Sequence, residues 1–180
     1  MEIDASVPSG FPAIPQISES QIMTGMGIIQ LEPVGQVICD IENQRDEGWG
    51  NILAEIRLDA TRFESVALEG LHEFSHVEVL FHFDQLPASE VETKTRHPRE
   101  NPGWPKVGIF AQRGRKRPNR IGATICEIVS VEGLSLHVRG LDAFNGSPVL
   151  DIKPVMAEFL PESKNVRQPR WAKELMSTYF

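Results

Sequence analysis

Residues 76–83 read HVEVLFHF. In an extended chain Val77, Val79, Phe81 and Phe83 fall on one face, and His76, Glu78, Leu80 and His82 on the other. β-branched and aromatic side chains at this density suit a pleated, half-buried surface, so the run predicts a strand. Working outward, residues 51–58 alternate in the same way, with Ile52, Ala54, Ile56 and Leu58 sharing a face. Residues 107–112, 121–131, 134–141 and 149–153 read as further strands, with Glu132-Gly133 as a tight hairpin turn. Upstream, GIIQLEPVGQVICD at 27–40 reads as strands broken at Glu32-Pro33. Residues 40–51 are a polar, Gly-rich loop, and residues 62–68 predict a short helix ending before Gly70. Residues 87–105 form a long loop with four prolines, and loops of that length in a compact domain are usually functional or mobile. Residues 113–119 make a turn, 142–148 a loop and 169–179 a helix.

Many short strands with frequent turn signals argue for a β-barrel or sandwich rather than a doubly wound sheet. No β-α-β alternation is visible, and no Gly-x-Gly-x-x-Gly follows a strand, so the usual dinucleotide fingerprint is absent. The expected fold is mainly β: one compact β-barrel with a few short helices and a flexible N-terminal arm. Residues 1–25, with Pro8, Pro12 and Pro15 among Ser and Gly, are the arm. Residues 26–160 form the barrel domain, and residues 161–180 a C-terminal tail with a short helix.

A chain of 180 residues with 41% hydrophobic content can bury a core and is not globally disordered. The net charge is -7, yet Arg113, Arg115, Lys116, Arg117 and Arg120 crowd into one segment. An acidic protein with one basic cluster points to a local anionic ligand or to a nucleic acid gripped at one place. Cys39 and Cys126 form no paired motif and read as small core thiols. No apolar run approaches the roughly 20 residues of a membrane-spanning helix. The first residues lack the basic start and apolar stretch of a secretory leader, so the expectation is a soluble cytoplasmic protein.

His72-Glu73-Phe74-Ser75-His76 spells a His-Glu-x-x-His string. On a helix this spacing sets two imidazoles on one face for zinc, with the Glu as base. Here the second His opens the strongest strand. In extended chain the two rings stand about 13 Å apart at roughly 3.3 Å per residue, so no metal site is expected.

Three blocks occur in order: LEGLHEFSHVEVLFHF at 68–83, VGIFAQRGRKRPNRIG at 107–122 and GLDAFNGSPVLDIKP at 140–154. Together they resemble the TrmO-like family, also called YaeB- or TsaA-type. The likeness covers about residues 26–154. It implies a small β-barrel methyltransferase that binds S-adenosylmethionine, uses no metal and forms a homodimer. The best-known activity in such a family methylates the exocyclic amino group of threonylcarbamoyl-adenosine beside the tRNA anticodon. Several positions depart from the pattern. Gln112 stands where Thr is usual, Arg115 and Arg120 where Pro is, Asn145 where a second Asp is, Ser147 for Thr and Val155 for Tyr. Asn43-Gln44-Arg45-Asp46 replaces the usual Pro-Arg-Gln loop. A tail of this length is not expected to hold the further C-terminal domain of bacterial tRNA-modifying members.

The resemblance implies cofactor contacts from Asp84, Gln85, Arg113, Asn119, Ile125, Asp142, Ala143, Phe144 and Asn145. Arg113 suits the cofactor's carboxylate, which a guanidinium can grip bidentately. Ile125 can offer apolar contact or backbone bonds to adenine. An amine attacking a sulfonium methyl must also lose a proton, for which Asp142 is the first acceptor and His76 the second. Each has a structural alternative: Arg113 a rim ion pair, Asp142 and Pro118-Asn119 turn formers, His76 a hydrogen-bonded histidine, Asp151 and Lys153 an ion pair. The acceptor stays open. The basic cluster favours tRNA. A small molecule, shaped by His97, Arg99, Trp104 and Lys106, and a binding module without catalysis are the alternatives.

Overall fold

The computed structural model describes residues 27–42 and 45–180. The expected arm at 1–25 and Asn43-Gln44 of the variant loop lie outside these residues. Glu32–Phe180 forms one compact unit. Within it β1 (Gly35–Ile38), β2 (Leu53–Leu58), β3 (His76–His82), β6 (Ile121–Glu132), β7 (Ser135–Arg139) and β8 (Pro148–Pro154) close into a barrel in the order β1-β2-β7-β6-β3-β8. Every neighbouring pair is antiparallel. A barrel leaves no unpaired sheet edge, so these short strands satisfy their backbone groups within the closed ladder.

The period-2 alternation sets what fills the barrel. Val37, Ala54, Ile56, Leu58, Val77, Val79, Phe81, Cys126, Leu136, Val138 and Val149 point inward and form one core with Leu68, Leu141 and Ala143. The Phe81 ring lies directly over Gly122, where an added Cβ would meet its Cε1 and Cε2 at 2.7 Å. Phe83 packs edge-on at 5.1 Å, a favoured aromatic geometry. Register shifts between Leu80 and Phe81, and between Ile128 and Ser130, mark the irregularities that help short strands curve to closure. With the interior occupied by side chains, ligand chemistry is left to the barrel's ends and loops.

Several expected elements differ. Residues 27–31 carry no regular structure, so the first strand is Gly35–Ile38 alone. The helix expected over 62–68 is a short 3₁₀ turn, Ser65–Leu68. The strand expected over 107–112 is cut to β5 (Val107–Gly108), because Ile109–Ala111 tightens into a 3₁₀ turn. The long loop is partly structured: β4 (Thr95–Arg96) pairs with β5, between 3₁₀ turns at Ala88–Glu90 and Pro98–Glu100. The tail helix is α1, Arg170–Met176. Lys153 and Asp151 form the ion pair foreseen as a structural alternative.

Candidate functional site

β7 ends at Arg139, which lies opposite Glu127 of β6. Gly140 turns the chain at φ 90°, and its N–H donates to Ile52 O at 2.9 Å. That sign of φ is one glycine adopts at little cost. Three residues beyond Arg139, Asp142 therefore comes beside Thr124, three residues back from Glu127. Thr124 lies on the inward face of β6 between Gly122 and Cys126 and is 5% exposed. A buried hydroxyl needs a partner, and it donates to Asp142 Oδ1. The other oxygen, Oδ2, accepts the hydroxyl of Tyr179.

Tyr179 reaches this place because the end of the tail is anchored at Glu174, Thr178 and Tyr179. Trp104 Nε1 donates to Glu174 Oε2 of α1 at 3.0 Å. The N–H of Gly48 donates to Thr178 O at 2.9 Å, and that of Trp49 to Tyr179 O at 2.7 Å. The Arg99 guanidinium stands 5.6 Å from the Tyr179 ring centroid, and also donates to Asp46 O and pairs with Glu47 at 3.8 Å. Arg99 has φ 47°, a left-handed conformation that costs a non-glycine residue on the order of 1–3 kcal/mol and collects at functional sites. Burial, then the Asp142 charge and hydrogen bond, push the Tyr179 phenol well above its ordinary value. It therefore remains a protonated donor.

Arg113 donates to Ala123 O, next to Thr124, and its charge reaches the Tyr179 phenol. The Cys126 thiol is pushed up to about 12 by burial and the nearby Asp142 charge, which leaves it neutral and unreactive. Trp49 is 2% exposed, and its Nε1 has no hydrogen-bond partner among the described residues. The Trp49 ring meets Phe144 at 6.2 Å, and the Arg45 guanidinium lies 5.5 Å from it. A buried indole N–H without an acceptor is costly and marks a place where an acceptor can be received. Asp142, Phe144 and Arg113 thus join Thr124, Tyr179, Trp49 and Arg99 at one end of the barrel.

The other sequence candidates are exposed or otherwise engaged, although the β3 exit and the β6 entry beside Asp84, Gln85 and Asn119 lie at this same barrel end. Asn145 Oδ1 accepts the Cys39 N–H at 3.3 Å, and its own N–H donates to Ile41 O at 2.7 Å, tying the 140–147 loop to the β1 exit. Ala143 is buried, with its carbonyl toward the Cys39 thiol at 3.8 Å. Asp84 and Gln85 are exposed just past β3. There the Asp84 charge partly opposes the lowering of the His82 pKa by burial and by Arg120. Asn119 is exposed in a turn closed by Arg120 N–H to Arg117 O at 3.0 Å. Ile125 lies opposite Glu78 on the outer face of β6, away from Thr124, and is 44% exposed. His76 opens β3 on the outer side, with Ser75 Oγ 2.8 Å from its Nδ1. His72 sits in the 3₁₀ turn Leu71–Glu73, so the His-Glu-x-x-His string spans a turn and a strand rather than one helix.

The basic cluster holds the long loop together. Lys116 pairs with Glu90 at 3.3 Å and Glu100 at 3.2 Å. Arg117 donates to Gln112 O at 3.2 Å and Arg120 to Leu86 O at 2.7 Å. The Glu100 carboxyl is held below its usual range chiefly by the Lys116 hydrogen bond. Gln112, at a departure from the family pattern, spans Arg96 O at 3.2 Å and Val107 O at 3.1 Å with its side-chain amide. Of Arg115, Lys116, Arg117 and Arg120, expected as a basic cluster to face an acceptor or partner subunit, the last three are thus engaged within the chain.

Residues 44–159 match the tRNA-methyltransferase O N-terminal domain family. A human tRNA (adenine(37)-N6)-methyltransferase is 41% identical over 103 residues, 57% of this chain and 23% of that protein. An S-adenosyl-L-methionine-binding protein of Archaeoglobus fulgidus is 34% identical over 141 residues, 77% of this chain and 94% of that protein. The crystal structure of TrmO from Pseudomonas aeruginosa superposes with a TM-score of 0.61 at 26% identity, covering 78% of this chain and 62% of that one. The chain thus spans less than a quarter of the human relative's length. Its closed barrel, its three ordered sequence blocks and the matched residues 44–159 agree, and the chain belongs to the tRNA-methyltransferase O N-terminal domain family.

Proposed function

We propose that this chain binds S-adenosylmethionine at the Asp142 end of the barrel and directs its methyl group to the exocyclic amino group of an adenosine in tRNA, bare or carrying a threonylcarbamoyl group. The observation that carries the reading is the Asp142 carboxylate fixed between two hydroxyls, with Arg113 anchored one residue from Thr124. The donor set fits the cofactor. A guanidinium has five N–H donors, and Arg113 places one on Ala123, leaving others for a carboxylate. Asp142 can accept from an amine or a ribose hydroxyl, since a carboxylate oxygen has more than one lone pair. The Trp49 indole is a buried donor awaiting an acceptor, and Phe144 stands beside it as an apolar face.

When bound, S-adenosylmethionine supplies an electrophilic methyl group on a sulfonium. The chain's share is to hold the acceptor amine in line and to exclude competing water. Such positioning is worth up to roughly 7–11 kcal/mol of a barrier. Asp142 takes the amine's proton in this reading. His76, on the outer side of β3, faces away from the inward side chain of Thr124. We also infer a homodimer, supported by Leu53 (59% exposed) and Val129 (47%), which line one shallow groove on the outer barrel wall. We place its work in the cytoplasm, alongside its substrate; among the described residues no helix is long and apolar enough to cross a membrane.

A small-molecule acceptor is the second reading. It is favoured by the pairing of Lys116 with Glu90 and Glu100, which offsets its charge, and by the main-chain bonds of Arg117 and Arg120, which leave fewer of their N–H donors for phosphates. The two readings separate on incubation with methyl-labelled cofactor and either total tRNA or a metabolite extract. Label in the tRNA, found on N6-methylated adenosine after digestion, supports the first. Label confined to the metabolites supports the second. Cofactor binding with no label in either pool refutes an enzyme and leaves a binding module.

A further inference from the structure

We propose that Tyr179, in the tail beyond the matched residues 44–159, is a positioning residue of this site: its hydroxyl fixes the plane of the Asp142 carboxylate toward the cofactor. The inference rests on the cofactor reading above. An aspartate carboxylate turns easily about its terminal torsion, which is broad and roughly two-fold. Thr124 restrains one oxygen, and a donor on the second oxygen restrains the plane. Hydrogen bonds to a charged acceptor are about twice as strong as neutral ones, so this pair is a firm hold.

The tail is built to deliver that hydroxyl. Gly48 and Trp49 bind its main chain, Arg99 lies over the ring, and α1 is tied to Trp104 through Glu174. None of these attachments uses the phenolic oxygen. Burial keeps the phenol protonated and so a donor. Among the described residues, the charges of Arg113 and Arg99 act on the Tyr179 phenol, the Asp142 charge acts on the Cys126 thiol, and Thr124 donates to Asp142. Tyr179→Phe therefore removes the hydroxyl while leaving the ring, its Arg99 contact and the backbone bonds in place.

The test titrates S-adenosylmethionine into the full wild-type chain and into Tyr179→Phe by calorimetry, and follows amide exchange of the tail in both. The expected result is about tenfold weaker binding by Tyr179→Phe, the scale of one lost hydrogen bond to a charged group, with tail protection as in wild type. Affinity within twofold of wild type overturns the inference. So does a loss of affinity accompanied by loss of tail protection, since the hydroxyl would then only pin the tail. A wild-type chain that does not bind the cofactor overturns the proposed function, and this inference falls with it. The wild-type titration thus distinguishes failure of the cofactor reading from failure of the Tyr179 assignment alone.

Discussion

Thr124→Val tests the centre of the site most sharply, because it changes one atom's chemistry and almost no shape. Thr124 is 5% exposed and donates to Asp142 Oδ1. Valine keeps the branched outline but presents a methyl group to a carboxylate oxygen. A hydrogen bond to a charged group contributes about 1.5–3 kcal/mol. The methyl that replaces the hydroxyl returns up to about 0.8 kcal/mol of apolar burial. The net expected loss is about 1–2 kcal/mol. For a chain of this length each kcal/mol moves Tm by roughly 2–4 °C, so calorimetry should read a fall of about 2–8 °C. With Oδ1 released, cofactor affinity should fall about tenfold, a difference of about 1.4 kcal/mol. Thr124→Ser is the counterpart: it keeps the hydroxyl and the affinity, but opens a methyl-sized void costing about 1 kcal/mol. A Thr124→Val chain as stable as wild type and binding the cofactor as tightly would refute the idea that this hydroxyl holds Asp142.

Arg113→Ala should weaken cofactor binding about tenfold or more, with Arg113→Lys intermediate because it keeps the charge but loses the planar fork; unchanged calorimetric affinity for both would remove Arg113 from the site. Gly122→Ala forces a methyl against the Phe81 ring, which is fully buried and held edge-on by Phe83. Overpacking of this kind costs about 1–3 kcal/mol, and a urea midpoint equal to wild type would show that the ring can move aside. His82 has its pKa lowered from 6.5, first by burial and then by Arg120. The unfolded chain binds that proton below about 6.5, whereas the native state resists it until lower pH. The stability held above pH 6.5 is therefore lost as pH falls towards the folded-state pKa. His82→Gln should flatten that slope in thermal melts between about pH 7.5 and 5.5, and an equal slope in both proteins would count against the assignment.

The barrel was legible where one face of a strand meets only apolar partners. At residues 76–83 the alternation itself names Val77, Val79 and Phe81 as interior, and they are, with Phe83 of the same face packed partly buried against them. It failed where a side chain decides the backbone locally. Residues 107–112 look like one strand, but the chain turns at Ile109–Ala111, and the Gln112 amide then spans Arg96 O and Val107 O. The apolar run at 27–31 has the composition of a strand yet takes no place in the ladder. Composition cannot show which backbone will find a partner.

The site is harder to read than the fold because its members are joined by hydrogen bonds between distant parts of the chain. Asp142 stood out through its sequence block, whereas Thr124 looks like any β-branched strand residue and Tyr179 like any tail aromatic. The available signals were weak. Thr124 is a hydroxyl in an inward-facing position of β6, which must find an acceptor somewhere. Trp49 follows two polar loop residues and a glycine with no visible reason to be buried. The basic cluster misleads in the opposite direction. Five cations within one segment suggest a surface for phosphate, yet Lys116 pairs with Glu90 and Glu100, and Arg117 and Arg120 donate to main-chain carbonyls. Those acids lie 16 and 26 residues upstream of Lys116, within a loop whose path the sequence does not disclose. Charge counted along the chain therefore overstates charge available to a ligand, and the part of the segment best placed to meet one is Arg113, whose anchor on Ala123 sets it beside the Thr124–Asp142–Tyr179 chain.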